Sequence, residues 1–543
     1  MQNMKTKIST LFVGLGLAAS SLMSTSCIEE TFPTDIATDE VISSSAKATE
    51  ALLWAMPAFM NNLGTLSSDY HYDWGYGSVM HIRDVMTGDL PAVASGYNWY
   101  TNWELNKLQG ESYVYCQFLW NFYWKGVQTT NNLISAVNPE TATDAQLGML
   151  GVGLAYRAHY YLDMAQMWEF LPNDVTSSIN QDGNDVLNLT VPIVKEGMGE
   201  DETRNNPRVS REEMAAFIIN DLNRAEEYIV NIGSLAAKTL PDLAVVYGLK
   251  ARYYMWLAGE GTDASSAENF KNAKEYARKA INAANVTPMT QEECLDLAKG
   301  FNDINQWMWG VQMVVEDNVV QSGILNWTSW MSNEAVFGYS AAEPNIMIDA
   351  SMYARLNNTD FRKLMWKAPK GTALYGMTPY IAGGDALVDY ASVKFRPANG
   401  DVEEPTVGAV SAYPLMRVEE MYFIEAEAAA HLGEDASLLV SFMKNYRDKS
   451  YTCQLAGAPL VEEVVFQKRV ELWGEGLSFF DYKRLNMPVK RGYEGSNWQE
   501  TARFNTATRP AWMNLSIVQT EKNNNKALVG WGNPDPSEKY TAQ

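Results

Sequence analysis

Ser210-Arg211-Glu212-Glu213-Met214-Ala215-Ala216-Phe217-Ile218-Ile219-Asn220-Asp221-Leu222 is the stretch that decides the fold class. Ser210 and Glu213 stand three apart, the spacing at which a hydroxyl and a carboxylate satisfy each other's backbone N–H groups at a helix start. Met214, Phe217, Ile218, Leu222, Ala225 and Ile229 then recur by threes and fours, which lays one apolar stripe along a helix.

The same grammar extends in both directions. Thr143-Asp144-Ala145-Gln146 opens a helix through Tyr156, Tyr160 and Met164 towards Pro172, and a third box, Ser265 to Glu268, precedes a helix from Phe270 to Asn282. Ala244 to Leu257 and its partner from Phe270 to Ala280 carry small residues that let two helices approach closely, in the manner of a tetratricopeptide unit. From about residue 283 to 412, Gly, Pro and Asn break the period, and Trp309 to Val315 reads as a small strand. Helical patterning resumes at Arg417 to Leu432, Leu438 to Asp448 and Val461 to Trp473. Tyr70 to Trp103 lacks helical order and is crowded with aromatic residues. The expected organisation is a helical part at 46–290, a loop-rich insert at 291–412 and a C-terminal helical part at 413–543.

Composition narrows the function. The 543 residues carry a formal charge of −23, which argues against nucleic-acid binding, because phosphates must be met by clustered Lys and Arg. With 17 Trp, 28 Tyr and 18 Phe the chain can bury a large core. Cys116, Cys294 and Cys453 are too far apart in sequence for a metal motif, and buried free thiols are expected. His71, His81, His159 and His431 are scattered without zinc-ligand spacing. No cofactor is implied; scattered loop Asp and Asn permit a structural calcium without specifying one.

The first 26 residues read as a secretory leader: Lys5 and Lys7, an apolar run from Leu11 to Ala19, then small residues. That run is too short to span roughly 30 Å of hydrocarbon. Cys27, after Ser24-Thr25-Ser26 and before Ile28-Glu29-Glu30, is the expected lipidation site and mature N-terminus, with 27–45 as its tether. The alternative is ordinary cleavage nearby that leaves Cys27 a free thiol.

Several segments together resemble the SusD/RagB family of Bacteroidetes outer-membrane nutrient-binding lipoproteins. They are Trp120-Asn121-Phe122-Tyr123 to Asn131-Asn132-Leu133-Ile134, then Ala155-Tyr156-Arg157-Ala158-His159-Tyr160-Tyr161 to Pro172, then Val191-Pro192-Ile193-Val194 with Arg208 and Asp221-Leu222. In the C-terminal half they are Arg417-Val418-Glu419-Glu420-Met421-Tyr422 with Glu425-Ala426-Glu427-Ala428, then Arg469-Val470-Glu471-Leu472-Trp473-Gly474-Glu475-Gly476 with Phe479-Phe480-Asp481-Tyr482-Lys483-Arg484. These follow the family's order over most of the chain. Ser478 departs from it, standing where the family often has Arg.

The resemblance implies a mostly α, SusD-like single large domain of tetratricopeptide-type helix pairs with long irregular loops. It implies a surface-exposed lipoprotein of the outer membrane, anchored through its N-terminal lipid. The partner so implied is a SusC-like TonB-dependent outer-membrane transporter, and the ligand an oligosaccharide that is captured and delivered without catalysis. A peptide-capturing RagB-type lipoprotein is the alternative, and a lipoprotein glycoside hydrolase a more remote one.

For the hydrolase the most suggestive acids are Glu471, Glu475 and Asp481 beside Arg469 and Arg484, whose other reading is a salt-bridged helix end. For binding, apolar sugar faces stack on flat rings, so aromatics in irregular segments are the candidates. Trp327 and Trp330, interleaved with Asn326, Thr328, Ser329 and Asn333, form the first pair; Trp74, Tyr76, Trp99, Tyr72 and Tyr353 complete the expected ligand-binding set.

Overall fold

A computed structural model describes residues 46–66, 70–381 and 383–543. The leader, Cys27 and the tether lie outside the described residues.

The long helices are α1 (Ala46–Met60), α2 (Val114–Ser135), α3 (Asp144–Trp168), α4 (Arg211–Tyr228), α5 (Leu243–Ala258), α6 (Ser266–Ala283), α7 (Val418–His431), α8 (Ser437–Tyr446), α9 (Ala458–Glu471) and α10 (Ser478–Arg484). Two of the three expected capping boxes form. Ser210 Oγ accepts from Glu213 N at 3.2 Å while Glu213 Oε2 accepts from Ser210 N at 3.2 Å, and Thr143 and Gln146 pair likewise. The third does not. Ser265 has helical backbone angles, φ −82° and ψ −11°, and makes no side-chain cap bond, because a capping hydroxyl needs an extended backbone to reach back.

α3 is the axis of the fold and is buried from Gly148 to Trp168, with α1, α2, α4 and α5 packed around it. Two glycines allow the closest approach: a Cβ at Gly148 would lie 2.4 Å from Ile232 N, and one at Gly151 2.6 Å from Ile229 N. α5 packs on α6 along the expected small-residue seam, α6 on α7, and α7 on α8 and α9. No described helix is long and apolar enough to cross a membrane.

β1 (Trp309–Gln312) and β2 (Ala412–Met416) pair antiparallel, with Gly310 opposite Pro414 and Gln312 opposite Ala412. Residues 313–411 are therefore one excursion that leaves and re-enters the helical body at a single two-stranded clasp. Tyr70 to Trp103 is not wholly irregular: a helix runs over Tyr76–Val85 and a short turn of helix over Thr101–Glu104. All ten residues of the first are buried, Ser78, His81, Arg83 and Asp84 included, so its polar residues face the interior.

Candidate functional site

Most of the expected ligand platforms are core. Trp327 is fully buried and Trp330 is 2% exposed; Trp74, Tyr76, Tyr72 and Tyr353 are likewise buried. This corrects the expectation that they face water. Trp327 stacks on Tyr413 at 5.0 Å between ring centres and meets Phe395 edge-on at 5.1 Å, so it pins the excursion to β2. Trp74 Nε1 donates to Tyr100 Oη at 2.8 Å. Tyr76 Oη donates to Asp163 Oδ2 at 2.7 Å, where Arg83 Nη1 also donates at 2.7 Å, so this ring serves an ion-paired network. Tyr353 packs edge-on to Tyr390.

Trp99 is the exception. It is half-buried, and its ring stacks on His71 at 4.5 Å with 15° between planes. His71 Nδ1 hydrogen-bonds Tyr339 Oη. Tyr339 in turn lies flat on Trp330, 4.3 Å away at 10°, with its outer parts half-exposed. Tyr97, 59% exposed, stands at the rim. Burial raises the Tyr339 hydroxyl above its ordinary range, and Trp99 and Tyr97 both lie near enough to act on it. The arrangement has two layers: buried Trp330, Trp327, Trp74 and Tyr100 beneath, and Trp99, His71, Tyr339 and Tyr97 above.

Two loops distant in sequence carry the upper layer and are zipped by backbone bonds. Val93 N donates to Asn345 O at 2.9 Å and Met347 N to Pro91 O at 2.8 Å. Ser95 Oγ donates to Glu343 Oε2 at 2.7 Å and accepts from Tyr97 N at 3.0 Å, which fixes the rim. A rigid, partly exposed aromatic tray with a carboxylate at its edge can stack the apolar face of a ring and bond its hydroxyls. Of the expected ligand-binding aromatics only Trp99 is partly exposed, and His71 and Tyr97 beside it were not among them. His71 falls in the same Tyr/Trp-dense stretch, and that density was the available signal.

The acids of the hydrolase reading have a different role. Glu471 accepts from Arg447 Nε at 2.7 Å, Arg447 Nη2 at 2.8 Å and Arg417 Nη1 at 3.1 Å. Burial pushes its carboxyl up, but Arg447, Arg417 and Arg362 reverse this and hold it well below the usual carboxylate range. Glu475 accepts from Arg417 Nε at 2.9 Å and Lys394 Nζ at 2.7 Å, and Asp481 from Lys468 Nζ at 3.0 Å. Arg469 turns away to Asp89. Glu471, held ionised among arginines, is neither a proton donor nor able to reach a substrate, and Glu475 and Asp481 are engaged in buried ion pairs.

The N-terminal signature residues converge in the same way. Arg157 donates through Nε to Asp221 at 2.7 Å and through Nη1 to Asn131 at 2.9 Å, all within the scaffold.

Residues 390–539 match the family model described as SusD family. The fold is similar to that of a SusD-like carbohydrate binding protein from Bacteroides vulgatus, at 22% identity and TM-score 0.66 over 89% of this chain and 96% of that one. A SusD superfamily protein from Bacteroides thetaiotaomicron matches at 16% identity and TM-score 0.64 over 89% and 98%. Surface glycan-binding protein A of the same organism, solved with laminarihexaose, matches at 14% identity and TM-score 0.59 over 90% and 99%. No curated protein matches. The SusD/RagB resemblance and the mostly helical SusD-like fold are borne out.

Proposed function

We propose, from a SusD-like fold and a partly exposed aromatic tray, that the protein captures glycans at the cell surface and passes them to a SusC-like TonB-dependent transporter. The observation that carries the reading is the tray of Trp99, His71, Tyr339 and Tyr97 on a fold shared with carbohydrate-binding relatives, one of them solved with an oligosaccharide. Each exposed platform contributes about 0.5–1.5 kcal/mol beyond its buried area. Two or three give an affinity on the order of micromolar to millimolar. A captor tethered beside its transporter works in that range, because tethering raises effective concentration. The protein acts without catalysis: no enzyme family is indicated by the comparisons, and its most suggestive acids are caged. Lipidation at Cys27 supplies the anchor.

The purified protein, screened on a mixed array of oligosaccharides and peptides, should retain glycans and leave them intact. Retention of peptides alone would establish the RagB-type alternative, and release of shortened glycans the hydrolase. Co-purification of a TonB-dependent transporter from native membranes tests the partnership.

A further inference from the structure

The backbone zip that fixes the tray continues beyond it. Ala92 pairs with Ile346, Met347 with Ala391 and Ser392 with Trp366, so four chain segments lie side by side. The far side of this ladder holds Tyr390: Ile348 N donates to Tyr390 O at 3.1 Å, and Tyr390 N donates to Lys367 O at 2.8 Å. Tyr390 stands at φ 69°, in the left-handed region that a bulky side chain rarely adopts. It is half-buried, and the buried Tyr353 braces its ring edge-on at 5.5 Å between ring centres. Asp389 beside it is exposed. The neighbouring loop, tied down where Thr378 Oγ1 donates to Trp366 O at 2.9 Å, exposes Tyr375 at 50% and Met377 at 58%.

A strained backbone persists only where its surroundings enforce it, and such positions cluster at ligand sites. Here the strain presents an aromatic ring partly to water, with a more exposed one nearby. The composition repeats that of the tray: flat rings with a carboxylate beside them, Trp99 and Tyr97 with Glu343 in one place, Tyr390 and Tyr375 with Asp389 in the other. Two inter-strand spacings, about 10 Å, separate Tyr390 from residues 91–93. The five residues from Glu343 to Ile348 and one further spacing, about 22 Å, are the most that can separate its backbone from that of Glu343. One sugar ring is too short to touch both places; a chain is not. We propose that Tyr390 and Tyr375 form a second platform for the ligand of the tray, so that the protein selects glycan chains several rings long. Two contacts on one chain raise its affinity above that of either alone, through effective concentration.

The inference rests on the tray's reading as a glycan platform, and the test separates the two. Titration calorimetry compares cellohexaose, maltohexaose, laminarihexaose and xylohexaose, each with its own disaccharide. A hexasaccharide that binds should do so at least about tenfold more tightly than its disaccharide. Tyr390→Asn, which suits the left-handed backbone, and Tyr375→Ala, at an exposed position, should each weaken the hexasaccharide about threefold to tenfold. Both should leave the disaccharide unchanged and Tm within a few degrees of the parent, whereas Trp99→Ala should weaken both lengths. Hexasaccharide affinity undiminished in the two tyrosine variants, or equal affinity for the two lengths, would overturn the second platform and leave the tray standing. Should Tyr390→Asn fail to fold, Tyr375→Ala alone decides. Binding untouched by Trp99→Ala, or no binding of any hexasaccharide, would overturn the tray and the second platform with it.

Discussion

Trp99 stacks on His71 and Trp330 on Tyr339, yet substitution should do opposite things at the two positions. Trp330 is 2% exposed and stacks on Tyr339, so Trp330→Ala leaves a cavity and should cost about 3–5 kcal/mol, read as a clear fall in Tm. Trp99→Ala and Tyr97→Ala remove rings that already face water in part. Each should lower glycan affinity by about threefold to tenfold on titration calorimetry, with Tm within a few degrees of the parent. Trp99→Ala with full affinity would remove the tray from the function. The candidate tray was only partly readable in the sequence. Aromatic density marked the region, but whether a ring is floor or platform depends on what lands on it from 250 residues away. Trp327 and Trp330, with polar neighbours interleaved, looked half-exposed; in fact Asn326 caps their short helix and Asn333 binds the backbone of the excursion, at 2.8 Å to Ile346 O. The polar residues satisfy buried backbone, not water.

At the scale of elements the long helices were readable, the buried α3 and α7 among them, while one ten-residue buried helix was not. α4 and α6 formed within a few residues of the expected spans because their stripes and polar faces coexist. The Tyr76–Val85 helix is short, starts at Gly75 without a side-chain cap, and buries Arg83 and Asp84. Caps give the sharpest contrast between expectation and geometry. Ser210→Ala removes a formed box and should cost about 0.5–2 kcal/mol in chemical denaturation. Ser265→Ala, with the same sequence signature but no cap bond, should change stability by less than about 0.5 kcal/mol. Equal losses at both serines would contradict the backbone angles at Ser265. The join between α9 and α10 is a second test. Glu471→Ala removes the carboxylate that Arg447, Arg417 and Arg362 share, leaving each with fewer buried counter-charges, and should cost about 3–5 kcal/mol. The signature around Arg469 to Arg484 is thus scaffold chemistry, which explains how it marks a family without marking a ligand.

Acidification from neutrality pulls the stability of the whole molecule in two directions: burial raises Glu104 to about 7 and Asp84 well above its ordinary range, so both favour the fold as pH falls. With a formal charge of −23, partial protonation of surface carboxylates relieves self-repulsion and would favour the fold. That term is spread over the surface and screened over about 8 Å at 0.15 M salt. Two buried imidazoles oppose it. Burial lowers His81 to about 3 and His159 to about 4, so both are neutral in the fold, while the unfolded chain titrates near about 6.5. Between those limits the unfolded state binds more protons, so the stability these groups contribute is full above about pH 6.5 and is lost as pH falls towards their folded values. Each costs about 1.4 kcal/mol per pH unit, or ~4 kcal/mol for the pair at pH 5. Below about pH 4.5 the loss continues as the depressed Glu471 begins to differ from its unfolded form. Thermal melts at 0.15 M salt at pH 7 and pH 5 read this balance as the slope of Tm with pH. His81→Leu and His159→Leu should each raise the Tm at pH 5 relative to that at pH 7, whatever they do to the Tm at pH 7. A slope unchanged in both variants would mean that the imidazoles titrate alike in the folded and unfolded chain, which their burial at 2% and 1% exposure does not allow.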